Sequence, residues 1–528
     1  EPKFSHQWFL KMEDLVKPAI KSVLKSDEIN FFPKKFDNTF KNWMLNIRDW
    51  NISRQLYWGH QIPVYYYGKS DDQYVVAKNA DEALELIKKK TKNNDFLLKD
   101  IKQDNDVLDT WFSSWLWPIS VFNGIIDPDN EDIKYYYPTS DLVTGPDIIF
   151  FWVSRMIMAG YEFKSKKPFN NVYFTGIVRD KKRRKMSKSL GNSPDALKLI
   201  DQYSADGVRV GLMLSSAAGN DLLFDTSLCD QGKSFSNKIW NSFRLVKGWK
   251  VVKKNQPTHC SIAIEWYNQK FNSVLSEIND HFNKFRISDA LMAVYKLIWD
   301  DFCSVFLEIV KPDYGESIDS KTFEQIVSIF EKNLIIIHPF MPFISEEIWH
   351  LIEKRSKENA IIIAEWPSST NSNDNDLIQD FESLLKVISG IRNFRKKYQV
   401  SFKDSLELSI VNNDNFSADY DSIISKLCNI SSIHYSDSEI EQSISFRVNS
   451  NIYSIPFHEE LDVNEEIIKI NNDLNYQKGF LKSVESKLNN KRFVENAPDS
   501  VIKNEQKKKD DALSKIRVLE ERLSNLSN

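Results

Sequence analysis

NVYFTGIVRDKKRRKMSKSLGNSPD occupies residues 171–195. Its opening is β-branched and aromatic and stops near Gly176, which predicts a strand. Six cations follow within twelve positions: Lys181, Lys182, Arg183, Arg184, Lys185 and Lys188. Ser193-Pro194-Asp195 then reads as a helix start, with Ser193 suited to capping and Pro194 to the first helical position. A basic loop between a strand's carboxyl end and a helix N-terminus is where doubly wound sheets bind nucleotides, and the helix end adds a favourable partial charge for phosphate. Lysines on such a loop could close over a triphosphate and stabilise the charge that builds as the α-phosphate is attacked. Charge alone leaves a solvated loop or a nuclear-import signal open, because polybasic runs are common.

The rest of the chain is nearly neutral. With 70 Lys and Arg against 74 Asp and Glu, the net charge is −4, so any nucleic-acid contact must be patchy. At 528 residues the chain exceeds what one core supports, and several domains are expected. Cys229, Cys260, Cys303 and Cys428 are far apart with no C-x-x-C pair, which argues against a structural zinc site and a disulfide framework and fits a reducing, cytoplasmic setting. No apolar run suggests a membrane span and no leader is evident. The chain opens on Glu1 rather than Met and reads as a piece of something longer.

Residues 1 to about 225 mix short strand-like runs, DQYVVA at 72–77 and NNVYFTGIV at 170–178, with helical stretches such as ADEALELIKKK at 80–90; the alternation predicts an α/β layer architecture. From about 230 to 370 apolar residues recur at three and four, as in ISDALMAVYKLIWDDFCSVFLEIVK at 287–311, and predict a helix bundle. SSTNSNDND at 368–376 ends it. One helix from residue 377 and strand-like runs LELSIV and ISFRV then make a small mixed module. Val463, Ile467, Ile470, Leu474, Leu481, Val484 and Leu488 form a coiled-coil seam, and Ala512, Ile516, Leu519, Leu523 and Leu526 a second. Pro498 between them predicts a chain reversal into an antiparallel hairpin, with a dimerisation coil left as the alternative.

Lys185-Met186-Ser187-Lys188-Ser189 resembles the KMSKS signature of class I aminoacyl-tRNA synthetases letter for letter. IRDWNISRQLYWGHQIP (47–63), DVLDTWFSSWLWP (106–118), GPDIIFFWVSRMIM (145–158), SNKIWNSFRLV (236–246), IHPFMPFISEEIWH (337–350) and KLNNKRFVENAP (487–498) resemble successive landmarks of the valyl branch of that family. The resemblance implies the second half of a Rossmann-type α/β catalytic domain (31–228) after a return from an editing-domain insertion (1–30), an α-helical anticodon-binding bundle (229–375), a small mixed α/β module (376–461) and a coiled-coil tRNA-binding arm (462–528).

The same resemblance implies the site. Lys188 would contact ATP in the transition state, with Lys185 a second phosphate ligand and Met186, Ser187 and Ser189 completing the ATP-binding loop. Gly145 and Asp147 match positions that hold the ATP ribose. Trp111, Ile148 and Trp152 match the apolar wall of a valine pocket; Ile148 and Trp152, four apart on an expected helix, would share a face, although aromatic residues at that spacing read without the family are more often core. An apolar pocket rejects the isostere threonine only weakly, which is why the family edits its product. ATP with Mg2+ would be a substrate, and no protein-bound metal is expected. The implied partners are valine, ATP and tRNA(Val), with no membrane and a monomeric protein. The coil carries Lys482, Lys487, Lys491, Arg492, Lys503, Lys507, Lys508 and Lys509, suited to tRNA phosphates or simply to solvent. Family members commonly have glycine where Arg183 stands and cysteine where Asn51 stands.

The family's HIGH motif is absent, so the first half of the nucleotide-binding domain and most of the editing domain are expected to lie outside this sequence, and the chain alone is expected not to activate valine. An isoleucyl or leucyl enzyme would share the signature, but the coil and RQLYWGHQIP favour valine. A non-catalytic tRNA-binding protein with a vestigial loop is the alternative of a different kind.

Overall fold

The structure is a computed structural model, and it describes residues 5–70, 72–187, 189–215, 219–369, 375–411, 416–456 and 463–489, with scattered positions between 502 and 520. Two compact units result: Glu1–Gln256 with Cys260–Asn373, and Pro257–His259 with Asp374–Asn528.

A three-stranded parallel sheet organises the first unit, in the order Asn30–Phe32, Phe169–Phe174, Thr139–Thr144. Parallel neighbours need a crossover, and the helix Ser154–Lys164 supplies it between Thr139–Thr144 and Phe169–Phe174. Its residues Met156, Ile157, Met158 and Ala159 are buried with Phe31, Val172 and Phe174 of the strands and with Ala19 and Val23 of the helix Val16–Leu24 in one apolar core. Along the central strand Phe169, Val172 and Phe174 are buried, while Asn170, Asn171 and Tyr173 are half-buried. The outer strand Thr139–Thr144 has one hydrogen-bonded neighbour among the described residues and leaves Val143 60% exposed.

The helix expected at 80–90 spans Ala80–Thr91 and is capped by Asn79, whose side chain accepts from the Glu82 amide at 2.9 Å. It packs on a small antiparallel sheet of Tyr74–Val76, Val64–Tyr66 and Lys102–Gln103. The bundle contains Thr226–Lys247, Thr258–Asn283, Ile287–Lys296, Ser320–Ile337 and Pro342–Ile352. The third of these continues through a widened π-helical stretch, Leu297–Phe306, before a last α-turn. Tyr267, Phe302, Phe306 and Phe330 form its aromatic centre.

The sequence reading separates bundle from sheet at residue 229; in the structure both belong to one unit. One turn of the helix Ala205–Ser215 makes the joint. The Asp206 carboxylate accepts from the amides of Phe343 at 3.2 Å and Ile344 at 2.8 Å, while Arg209 donates to the carbonyls of Phe340 at 3.1 Å and Pro339 at 2.9 Å. The helix Pro342–Ile352 has Met341 at its N-cap, which offers no side-chain acceptor. Asp206 therefore satisfies first-turn donors that would otherwise be orphaned.

In the second unit the helix Asn375–Lys397 covers a four-stranded sheet in the order Ile430–Tyr435, Leu406–Val411, Asn451–Pro456, Ser443–Val448. The first pair is parallel and the other two are antiparallel. The helix Val463–Leu488 follows, with Leu474 and Val484 buried, as are Ala512 and Ile516 of the second seam. Lys478 lies 2.8 Å from Glu520, Lys509 2.9 Å from Glu485 and Lys487 3.8 Å from Glu505, so partner numbers fall as positions rise and the segments run antiparallel. Pro498, with Lys491, Arg492, Lys503, Lys507, Leu519, Leu523 and Leu526, lies outside the described residues. No helix among the described residues is long and apolar enough to cross a membrane.

Candidate active site

Two turns leave the carboxyl ends of adjacent parallel strands. Thr139–Thr144 runs into Gly145, Pro146 and Asp147; Phe169–Phe174 runs into Thr175 and Gly176. The Thr175 amide donates to the Thr144 carbonyl at 2.9 Å and keeps the two exits side by side. At Gly176 a Cβ would sit 1.8 Å from the Asn220 carbonyl oxygen, so only glycine fits this crossing of two backbones. Beyond it Val178–Arg179 pairs in parallel with Leu222–Leu223.

The basic loop is folded back on this short strand. Arg179 bridges to Lys185, and the Met186 amide donates to the Val178 carbonyl at 3.2 Å. The Ser187 and Ser189 hydroxyls lie 3.1 Å apart. The Lys185 ammonium reaches to 3.7 Å from the Asp147 carboxylate, with the two side chains 64% and 52% exposed, which leaves both open to an incoming ligand. Residues on two separate strand exits, Lys185 with Met186 and Ser187 on one and Gly145 with Asp147 on the other, are thus brought to one edge of the sheet. Lys188 lies outside the described residues.

Two local expectations change. The helix after the loop spans Ala196–Tyr203 and is capped by Asp195, whose side chain accepts from the Leu197 amide at 2.9 Å; Ser193 and Pro194 precede it. A carboxylate two residues before a free amide outcompetes a hydroxyl four residues away. Ile148 and Trp152 do not share an α-helical face. Ile148 closes a 3-10 turn with non-helical dihedrals (φ −114°, ψ 20°) and Trp152 lies in the π-helical turn Ile149–Val153 that follows, so the two are not on one regular α-helix. Trp152 donates from its indole to the Ser114 carbonyl at 3.0 Å and sits against Trp117. Trp111 instead stacks on Phe151 and lines a separate cavity of about 610 Å³ with Trp43, Trp50, Phe150 and Arg155.

Asp109 organises that cavity. One carboxylate oxygen caps the short helix Thr110–Ser114 through the Trp111 amide at 3.2 Å; the other accepts from the Trp50 indole at 2.8 Å and from Arg54 at 2.8 Å. Arg155 lies 3.8 Å away, stacked 3.5 Å over the Trp50 ring. Burial lowers the Arg155 guanidinium to about 10, against the opposing pull of Asp109.

Sequence profiles agree in order along the chain. The family tRNA synthetases class I (I, L, M and V) matches residues 1–225, the anticodon-binding domain of tRNA ligase matches 265–410, and the valyl tRNA synthetase tRNA binding arm matches 462–527. The valine–tRNA ligase of Christiangramia forsetii is 56% identical over 528 residues, spanning 100% of this chain and 60% of that protein. That of Parabacteroides distasonis is 52% identical over 528 residues with the same coverage, and that of Enterococcus faecalis is 36% identical over 541 residues, covering 59% of its length. Along its whole length the chain is similar to the valine–tRNA ligase family. It spans about 60% of the length of the curated relatives it matches.

Relative to this family the loop's departure at Arg183 has a structural meaning. Arg183 adopts φ +64°, the left-handed region that favours glycine, and its amide closes a turn onto the Asp180 carbonyl at 2.8 Å. Two further side chains, Asp180 and Asn192, hold the loop and were not singled out from sequence. Their local signal was present: an Asp opening a turn and an Asn after a glycine are turn formers.

Proposed function

We propose that the protein containing this chain is a valine–tRNA ligase that activates valine with ATP and transfers it to the terminal adenosine of tRNA(Val). The supporting observation is the convergence of Lys185 and Asp147, 3.7 Å apart, from the carboxyl ends of neighbouring parallel strands. An ammonium for phosphate beside a carboxylate for two ribose hydroxyls suits a nucleotide lying across the sheet edge.

In this reading ATP with Mg2+ is a substrate. Lys185 and Lys188 neutralise charge on the phosphates while the valine carboxylate attacks the α-phosphate in line and pyrophosphate leaves. The terminal adenosine's 2′-hydroxyl then attacks the carbonyl of valyl-adenylate, forming the ester as the mixed-anhydride bond breaks and AMP leaves. No protein atom becomes covalently attached, and catalysis rests on placement and charge. Trp111, Ile148 and Trp152 are assigned to the wall of the valine pocket. The cavity supports Trp111; for Ile148 and Trp152 the support is the sequence match. The bundle would meet the anticodon bases and the coil the tRNA backbone.

The test is aminoacylation by the intact ligase with Lys188→Ala. Charging should slow by about a hundredfold, the usual loss for one transition-state donor. An unchanged rate would sink the assignment. Binding of a nonhydrolysable valyl-adenylate mimic separates the enzyme from a tRNA-binding protein, which would retain tRNA affinity and ignore the mimic.

A further inference from the structure

Asp180 and Asn192 stand at the two ends of the basic loop, twelve residues apart, and meet through the Asn192 carboxamide, which donates to the Asp180 carboxylate at 3.1 Å. The other Asp180 oxygen accepts from the amides of Lys182 and Arg184, each at 2.9 Å. Arg184 adds its guanidinium, with Nε at 2.9 Å and Nη2 at 2.8 Å. Asn192 also serves the signature itself: its nitrogen donates to the Lys185 carbonyl at 3.2 Å and its oxygen accepts from the Ser187 amide at 2.9 Å. The main chain is therefore gripped on both sides of Met186.

We propose that Asp180 and Asn192 are positioning residues, a carboxylate–carboxamide clamp that fixes the backbone of Lys185 and Ser187 so that Lys185 points to the sheet edge beside Asp147. The proposal rests on reading the loop as the nucleotide loop. It explains why a carboxylate sits among six cations that are to hold a polyanion. The Asn192 carboxamide and the Arg184 amide, with Arg184's own charge, hold the Asp180 carboxyl far below the usual carboxylate range, so it stays ionised at any working pH. Its charge is taken up within the loop by directed donors.

Charge and position predict opposite results. If Asp180 acts only as a charge, Asp180→Asn makes the loop more cationic and ATP binds more tightly. If it is a clamp, the new carboxamide keeps an acceptor for the turn amides but presents N–H groups to Asn192 and Arg184, and the grip on Lys185 is lost.

The experiment has two arms. In pyrophosphate exchange by the intact ligase, Asp180→Asn and Asn192→Ala should each lower kcat/KM for ATP by about tenfold with KM for valine unchanged. The double variant Asp180→Asn with Asn192→Asp should recover part of the loss. It has the parent's net charge, reverses the donor and acceptor between 180 and 192 and keeps an acceptor for the Ser187 amide, but it lacks the donor to the Lys185 carbonyl. In the second arm, on this chain without nucleotide, hydrogen exchange at the Arg184 and Ser187 amides is measured. Asn192→Ala should accelerate Ser187 by about tenfold. Tighter ATP binding in Asp180→Asn, or no rescue by the double variant, overturns the proposal. Unchanged exchange shows that the clamp does not exist and leaves the nucleotide reading standing. Faster exchange with normal ATP kinetics overturns the positioning role, while the nucleotide reading falls only if Lys188→Ala also charges at the parent's rate.

Discussion

Replacing Asp206 by Ala should loosen the corner where the bundle grips the sheet. The side chain is 3% exposed and accepts two first-turn amides of the helix Pro342–Ile352 at 3.2 and 2.8 Å, and Met341 offers no substitute. Hydrogen bonds to a charged acceptor contribute about 1.5–3 kcal/mol each, and the longer of these falls at the low end, so the pair is worth about 3 kcal/mol. Against this, burial raises the Asp206 carboxyl above its ordinary pKa despite those amides, so the variant also removes a desolvation cost and the loss falls below that sum. Leaving the buried amides without their acceptor costs about 2 kcal/mol, which is about thirtyfold faster exchange of the Phe343 and Ile344 amides when opening is in rapid equilibrium. Asp206→Asn keeps one acceptor and should lose about half as much free energy. The measurement is residue-resolved hydrogen exchange, because a unit of this size need not melt in one step. Exchange at both amides within twofold of the parent would refute the capping argument.

Three other outcomes follow from the geometry. Gly176→Ala drives a Cβ into the Asn220 backbone and should cost at least about 2 kcal/mol at the root of the loop; if thermal melting is unchanged, the close approach is not real. Arg183→Gly removes about 1 kcal/mol of left-handed strain and adds backbone entropy of about 0.5 kcal/mol to the open loop, so exchange at the Arg184 amide should slow by about twofold, and acceleration would contradict it. His338 is held below its ordinary pKa chiefly by burial, with Arg209 adding to that and Glu346 and Asp206 opposing it, and it shares a 2.7 Å hydrogen bond with Ser345. The neutral ring is the form the fold favours, so its contribution is present above about pH 6.5 and fades as pH falls through that value. The drop in melting temperature from pH 7.5 to 5.5 should therefore shrink in His338→Gln, and an equal drop in both proteins would disprove it.

The strand, the helix at 80–90 and the seam positions Leu474, Val484, Ala512 and Ile516 were legible because each depends on local periodicity and local turn formers. Gly176 was placed as a strand end from composition alone; that its neighbour is the Asn220 carbonyl could not be read, since 44 residues separate them. Asp206 gives no local sign of its task, because the helix it caps lies more than 130 positions on. The shared helical face of Ile148 and Trp152 is absent for a different reason: the backbone at Ile148 is non-helical and a π-turn begins after it, and spacing alone does not reveal such a break. The Lys185, Gly145 and Asp147 grouping was readable only through the resemblance, and the sheet gives its cause: adjacent parallel strands end at the same level.

The open side of the strand Thr139–Thr144 carries a practical consequence. Among the described residues this edge has no hydrogen-bonded neighbour, and with the exposed Val143 beside it the strand is a template for pairing with an extended polypeptide. In concentrated preparations of this chain, precipitation should begin there. A lysine in place of Val143 should keep the material in solution without disturbing the buried face of the sheet.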